Sequence, residues 1–238
     1  MSDKFLVIGG TRGTGLEIIK RIVKSGSDAT VLVRDPDKAT GISAVNTRIV
    51  KGDVTDPRSL NTAFDEDYSA IFYAADATGG VGGRSFFGSA EKIRAVTYQG
   101  LVNTVEAAKA HSFMGRMVLL SGMGCDKPSL AGFFLNAVKG NLQKNMVDRE
   151  AYLKKSGLDF VVCRAGVLTD ETSQKTVFIR PPVHSLSPQR KLSRMNFAQV
   201  LVIASQLPAA SSRTYDVFEA TGFNQQKSLE TQLTESGR

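Results

Sequence analysis

One stretch near the start of the chain limits its fold more than any other. Phe5–Ile8 is a short apolar run. Gly9-Gly10-Thr11-Arg12-Gly13-Thr14-Gly15 follows at once, and then Leu16, Ile18, Ile19, Ile22 and Val23 recur at helical spacing until Gly26. A strand, a glycine-rich turn and a helix in that order open a βαβ unit. Glycines permit the tight turn and let backbone N–H groups approach a pyrophosphate, while the helix N-terminus adds its dipole. A plain tight turn is the competing reading, and the position directly after a first strand argues against it.

The rest of the chain continues the alternation. Thr30–Val33, Arg48–Val50, Ala70–Tyr73, Met117–Leu120 and Phe160–Cys163 read as further strands. Between them lie a short helical pattern at Pro57–Phe64, a long one at Ala90–His111, and a third running to about Ser156. Continuous apolar strands alternating with helices imply a doubly wound, parallel sheet with both faces covered. Beyond Arg164 the order is less regular: Val177–Ile179 and Tyr215–Glu219 suit strands, and Asn196–Leu207 a helix. The expectation is one Rossmann-type α/β domain over 1–223, with about 165–223 contributing a small C-terminal lobe on the substrate side. Residues 224–238 are polar and are expected to be a loosely held tail.

Composition narrows the setting. A hydrophobic share of 42% across 238 residues is enough for an ordinary packed core. Cys125 and Cys163 do not make a disulfide framework, and Cys163 sits in an apolar run that suits a buried small side chain. The N-terminal apolar run is too short for a signal peptide and nothing approaches a membrane span, so a cytoplasmic protein is expected. The net charge of +7 comes from scattered lysines and arginines, which does not suggest a nucleic-acid partner. His111 and His184 have no Cys, Asp or Glu at ligand spacing, so no metal is expected. A small-molecule partner and a monomer or homodimer fit these features.

The end of the second strand bears on which dinucleotide is preferred. An acidic residue there would take the ribose hydroxyls of NAD. Here the strand ends in Arg34, whose guanidinium can pair with a 2′-phosphate and stack on adenine, and Arg12 adds a second cation. NADP(H) is the expected cofactor; the competing reading leaves Arg34 in solvent and gives the ribose to Asp35. After the third strand, Asp53 can accept from the adenine amino group with Val54 packed on the ring, or can serve as a turn or cap residue before Pro57. Gly79-Gly80-Val81-Gly82-Gly83-Arg84 follows the fourth strand, where a glycine-rich loop can fold over a substrate or be a plain surface connection. Phe86 and Phe87 suit a pocket lining or an anchor to the core.

Taken together, GGTRGTG (9–15), VLVRDPDKA (31–39), KGDVTDPRSL (51–60), VTYQGLVNTVEAAKAH (96–111), VLLSGMG (118–124) and YLKKSGLDFVVCRAGVLTD (152–170) resemble the atypical short-chain dehydrogenase/reductases of the NmrA-like and flavin-reductase-like kind. The resemblance covers roughly residues 4–220. It implies that Gly9, Gly10, Thr11, Arg12, Gly13, Thr14 and Gly15 surround the phosphates, that Arg34 meets the 2′-phosphate, and that Asp53 and Val54 meet the adenine. It further implies that Ala74 and Ala75 pack along the cofactor, that Ser121 stands near the nicotinamide as the candidate catalytic side chain, and that Gly166, Val167 and Leu168 form the nicotinamide wall. Ala165 stands where family members often have proline.

Two departures affect function. Arg12 replaces the central glycine of the usual loop. Also, no tyrosine has a lysine four residues later, so the Tyr-x-x-x-Lys pair that supplies a general acid in the orthodox enzymes is missing. The lysine that some members keep on the helix before Ser-Gly-Leu-Asp is Met146, and Tyr152 reads as a packing residue. An NADPH-dependent reductase of a small, conjugated organic substrate is the leading expectation. The competing class is an NADP(H)-binding sensor or scaffold without redox turnover, with a cofactor-retaining isomerase or cyclase as a third option. Fold alone does not decide among them.

Overall fold

The computed structural model describes residues 2–42, 45–76, 89–127, 133, 136, 141–172, 175–182, 185, 187–221 and 227–237. The apolar runs form the expected strands: β1 (Lys4–Ile8), β2 (Asp28–Val33), β3 (Thr47–Lys51), β4 (Ala70–Tyr73), β5 (Arg116–Gly122) and β6 (Asp159–Ala165). β7 (Val167–Thr169), β8 (Thr176–Arg180), β9 (Lys191–Ser193) and β10 (Arg213–Ala220) follow. Eight of them make one sheet in the order β3-β2-β1-β4-β5-β6-β10-β8, parallel except for β8 against β10. β7 and β9 pair separately as a small parallel sheet beyond the end of β6.

Helices cover both faces. α1 (Gly13–Lys24) and α6 (Arg194–Gln206) lie on one side, where Ile18, Ile19, Ile22, Phe197, Val200 and Leu201 bury against the sheet. α4 (Gly100–Ala110) and α5 (Leu142–Lys154) lie on the other, with Leu101, Val105 and Leu153 in a second core around Leu6, Ile71 and Leu119. α2 (Pro57–Leu60) is a single turn capped by Asp56. Two apolar layers of this kind, one on each face of a parallel sheet, are what the continuous hydrophobic strands require.

The long helix expected at Ala90–His111 is broken in the middle. α3 (Ala90–Arg94) passes through a π-helical turn at Ala95–Gln99 before α4 begins. The fully buried Tyr73 donates its hydroxyl to the Val96 carbonyl at 2.5 Å, which occupies an acceptor that the helix would otherwise use. At Gly100 a β-carbon would strike the Tyr73 hydroxyl, so a glycine keeps that approach open. His111 ends α4, with its ring Nδ1 on the Ala107 carbonyl.

The residues after Arg164 divide between two roles. β10 and β8 extend the main sheet and α6 packs on α1, while β7 and β9 stand at the strand ends. The expectation of a loosely held tail is corrected for its last part: Leu229–Ser236 is a helix, α7, capped by the Ser228 hydroxyl on the Thr231 amide. Leu233 is fully buried, and the Gln232 side chain accepts from the Ile179 amide and donates to the Val177 carbonyl of β8. The sequence reading missed this because only Leu229 and Leu233 carry the apolar pattern. Polar bonds to β8 supply the rest.

Candidate functional site

The strand ends and helix starts of this topology meet along the C-terminal edge of the sheet, where open parallel sheets hold their ligands. The loop after β1 is shaped by backbone constraints. Gly9 (φ +88°) and Gly13 (φ +58°) occupy the left-handed region. A β-carbon at Gly9 would lie 2.7 Å from the Ala75 amide nitrogen, so the turn runs directly against the end of β4. Gly10 and Gly15 are buried and bring α1 onto the sheet. A β-carbon at Gly10 would stand 2.5 Å from Ile19 Cδ1, and one at Gly15 would overlap the Gly9 carbonyl. Thr14 is buried too, Thr11 is half-buried, and Arg12 is exposed. Arg12 is the N-cap of α1, and its side chain makes no capping bond to the first-turn amides. A glycine-rich turn leading into a helix start that its N-cap side chain leaves uncapped fits a dinucleotide pyrophosphate.

At the β2 and β3 ends, Arg34 is exposed at the bend after Val33. The Asp35 carboxylate accepts the Asp37 amide at 3.3 Å and caps a 3-10 turn. Asp53 Oδ1 accepts from both the amide and the hydroxyl of Thr55, at 2.9 and 2.8 Å, which realises its turn reading. Val54 is buried close to Gly100, and its carbonyl takes the Asn103 side-chain amide at 2.8 Å.

At the β5 end the structure gives Ser121 a different environment from the one expected. Its hydroxyl donates to Glu150 Oε1 at 2.6 Å inside the molecule. Glu150 also receives Arg164 at 2.7 Å, the Cys125 thiol at 3.4 Å and Lys154 at 3.4 Å, and Arg164 reaches on to Asp126 at 2.9 Å. Burial alone would push the Glu150 carboxyl up. The Arg164 bonds and charge, helped by Ser121, overcome that and hold it below the usual carboxylate range. Burial and the neighbouring carboxylate push the Cys125 thiol up to about 12, which makes it a poor nucleophile.

Four of the five tyrosine hydroxyls are already hydrogen-bonded within the chain. Tyr68 donates to the Ala63 carbonyl, Tyr73 to Val96, and Tyr215 to Leu233. Tyr152 donates to Glu106 at 2.6 Å on the outer face, and that bond helps push its hydroxyl up to about 12. Tyr98 lies beneath the Arg94 guanidinium and edge-on to Tyr152. Met146, at the lysine position, packs with Ile93, Cys125 and Leu142.

Two arginines that the sequence reading passed over belong to this edge. Arg149 of α5 is 3% exposed, donates from Nη2 to the Leu120 carbonyl at 2.6 Å, and leaves its Nε without a partner. No carboxylate pairs with it among the described residues, and the hydroxyl of Tyr73 feels its charge. Arg194, the first residue of α6, lies against Gly13. After β6, Gly166 touches the Arg190 carbonyl so closely that any β-carbon would overlap it. Val167 and Leu168 then pair with Lys191 and Leu192 as β7 and β9. The 79–84 loop, Phe86, Phe87 and His184 lie outside the described residues. No group of three potential metal ligands occurs among the described residues, and none of their helices is long and apolar enough to cross a membrane.

The parallel sheet, the glycine turn at its first strand and the helix start beyond it define a Rossmann-type nucleotide-binding protein. The chain belongs to the NAD(P)H-binding family, whose model matches residues 9–207. An uncharacterized chloroplastic protein of Arabidopsis thaliana is 28% identical over 189 residues, 76% of this chain and 64% of the relative. This chain therefore spans less than two thirds of that relative's length. Among solved structures, the oxidoreductase YlbE of Lactococcus lactis superposes with a TM-score of 0.74 at 18% identity, over 98% of this chain and 95% of that one. The anaerobillin reductase ChuY of Escherichia coli O157:H7 gives 0.70 at 19% identity, over 93% and 100%. A short-chain dehydrogenase/reductase of Veillonella parvula in complex with NADP gives 0.67 at 11%, over 96% and 100%. At these identities the structural likenesses establish the fold. The resemblance read from the sequence motifs agrees with the family found.

Proposed function

We propose that this protein is an NADPH-dependent reductase of small, conjugated organic acceptors. The observation that carries the reading is the state of its tyrosines and of Ser121. Four of the five tyrosine hydroxyls donate to acceptors within the chain, the ring of Tyr98 lies under Arg94, and the Ser121 hydroxyl is spent on Glu150. Reduction of a simple ketone makes an alkoxide that needs a proton in an enclosed site. A quinone, flavin or enone delocalises the incoming charge and takes its proton later from solvent.

When bound, NADPH would supply the hydride. Gly9, Gly10, Thr11, Arg12, Gly13, Thr14 and Gly15 would hold the pyrophosphate on backbone amides. Arg34 would take the 2′-phosphate, and Asp53 and Val54 the adenine, with Asp53 Oδ2 serving while Oδ1 keeps the turn. Ala74, Ala75 and the Gly166–Leu168 segment would orient the nicotinamide half. Arg149 supplies a buried positive charge beneath the same edge, suited to a developing oxyanion.

The test is anaerobic NADPH oxidation against matched panels of quinones, flavins, enones and saturated ketones. Turnover confined to the conjugated panels is expected. Efficient reduction of saturated ketones overturns the chemistry, and tight NADPH binding without oxidation by any acceptor supports the sensor reading instead.

A further inference from the structure

α1 and α6 lie side by side on one face of the sheet, and their first residues meet at its C-terminal edge. Arg194 Nε is 3.4 Å, and its Cδ 3.6 Å, from the point where a β-carbon on Gly13 would stand. The side chain is only 14% exposed, so the guanidinium lies along the glycine turn and does not extend into water.

Its backbone is fixed by a buried set of bonds. The Ser193 hydroxyl caps the Asn196 amide at 3.1 Å, and Glu219 Oε1 accepts the Ser193 amide and the Asn196 side chain, both at 2.9 Å. One guanidinium nitrogen, Nη1, is held 2.7 Å from Asp170 Oδ1. That carboxylate is 88% exposed, and an ion pair so open to solvent is weak. Among the described residues, Arg194 Nε and Nη2 have no acceptor. A cation with two open donors therefore lies against the glycine turn at Gly13.

We propose that Arg194 is a pyrophosphate-binding residue, closing on the diphosphate of the dinucleotide from the side opposite the loop amides. Backbone donors and a planar cation on two sides of one dianion form a complete cradle. Gly13 is the position where any side chain would come between them. This assignment rests on the dinucleotide reading of the loop.

Affinities are measured by titrating the full chain with NADPH and with 2′-AMP, which carries the 2′-phosphate but no diphosphate. Arg194→Gln is expected to weaken NADPH at least about tenfold, as loss of a charge-assisted bond requires. It should also flatten the salt dependence of NADPH binding, and leave 2′-AMP within about twofold. Arg194→Lys should recover part of the loss, and circular dichroism of the free variants should match the parent. NADPH affinity unchanged in Arg194→Gln overturns the assignment, as does an equal loss for NADPH and 2′-AMP, which would mean that Arg194 acts through the fold. A parent protein that binds neither ligand defeats the dinucleotide reading itself.

Discussion

Arg164 Nη2 lies 2.7 Å from Glu150 Oε2, and neither side chain is more than 5% exposed. This pair joins α5 to β6 and takes the Ser121 hydroxyl as a third member. Breaking such a pair from one side leaves a buried charge without a partner. Glu150→Gln is expected to cost about 3–5 kcal/mol in urea unfolding. A loss under about 1 kcal/mol would show that Asp126 alone satisfies Arg164.

The same carboxylate gives the fold a pH dependence. Its pKa is held below the ordinary glutamate value of about 4.5. The stabilisation is therefore complete above that value and is lost as pH falls through the lower, folded one. Melting temperature should drop on acidification below about pH 4.5 in the parent. The drop should be shallower in Glu150→Gln, and parallel curves would exclude Glu150 as the source.

Cofactor choice rests on Arg34 in the proposed function. NADPH should bind more tightly than NADH, and Arg34→Ala should remove most of the difference, about 1.5–3 kcal/mol for a charged hydrogen bond. Equal affinity of the parent protein for both nucleotides would contradict this.

Among the described residues, Arg149 is buried without a carboxylate partner and its Nε is unsatisfied. A methionine of similar length would remove that desolvated charge. Arg149→Met is expected to keep or raise the free protein's stability, by about 1 kcal/mol, and to lower turnover about tenfold or more. A stability loss above about 2 kcal/mol would make Arg149 a structural clamp on the Leu120 carbonyl.

Leu233 is fully buried under β8 and β10, and its carbonyl accepts the Tyr215 hydroxyl at 2.9 Å. Leu233→Ala should cost about 2–4 kcal/mol, in the range of core leucine truncations. Unchanged thermal unfolding would mean that α7 is dispensable to the fold.

Most of the architecture was legible in the sequence because it is local. The glycine turn, the apolar strands and the Asn196–Leu207 helix announce themselves through composition and spacing over a few residues. What was missed depends on distant contacts. The π-helical turn exists because Tyr73 reaches Val96 from another element. β7 and β9 are three residues each and pair only because Gly166 lets Arg190 approach. The family resemblance marked Ser121 as a site residue, yet its partner Glu150 is 29 residues away. Nothing around Arg194 in the sequence signals its contact with Gly13. The 79–84 loop falls outside what the structure describes.

The Gln232 side chain gives α7 a further consequence. Ile179 N–H and Val177 C=O point outward from the edge strand β8, and one amide group satisfies both, at 3.0 and 3.1 Å. The Ser236 hydroxyl covers the Ile179 carbonyl beside them. A primary amide thus stands in for the backbone of a ninth strand, in a form that cannot be extended. An open edge would template pairing with another chain, and here it is sealed by a side chain. At the opposite edge, β3 relies on charge: Arg48 is tied to Asp65 and Glu66, and Lys51 is exposed. The sheet is protected from end-to-end growth by two different devices, and the polar C-terminal segment is one of them.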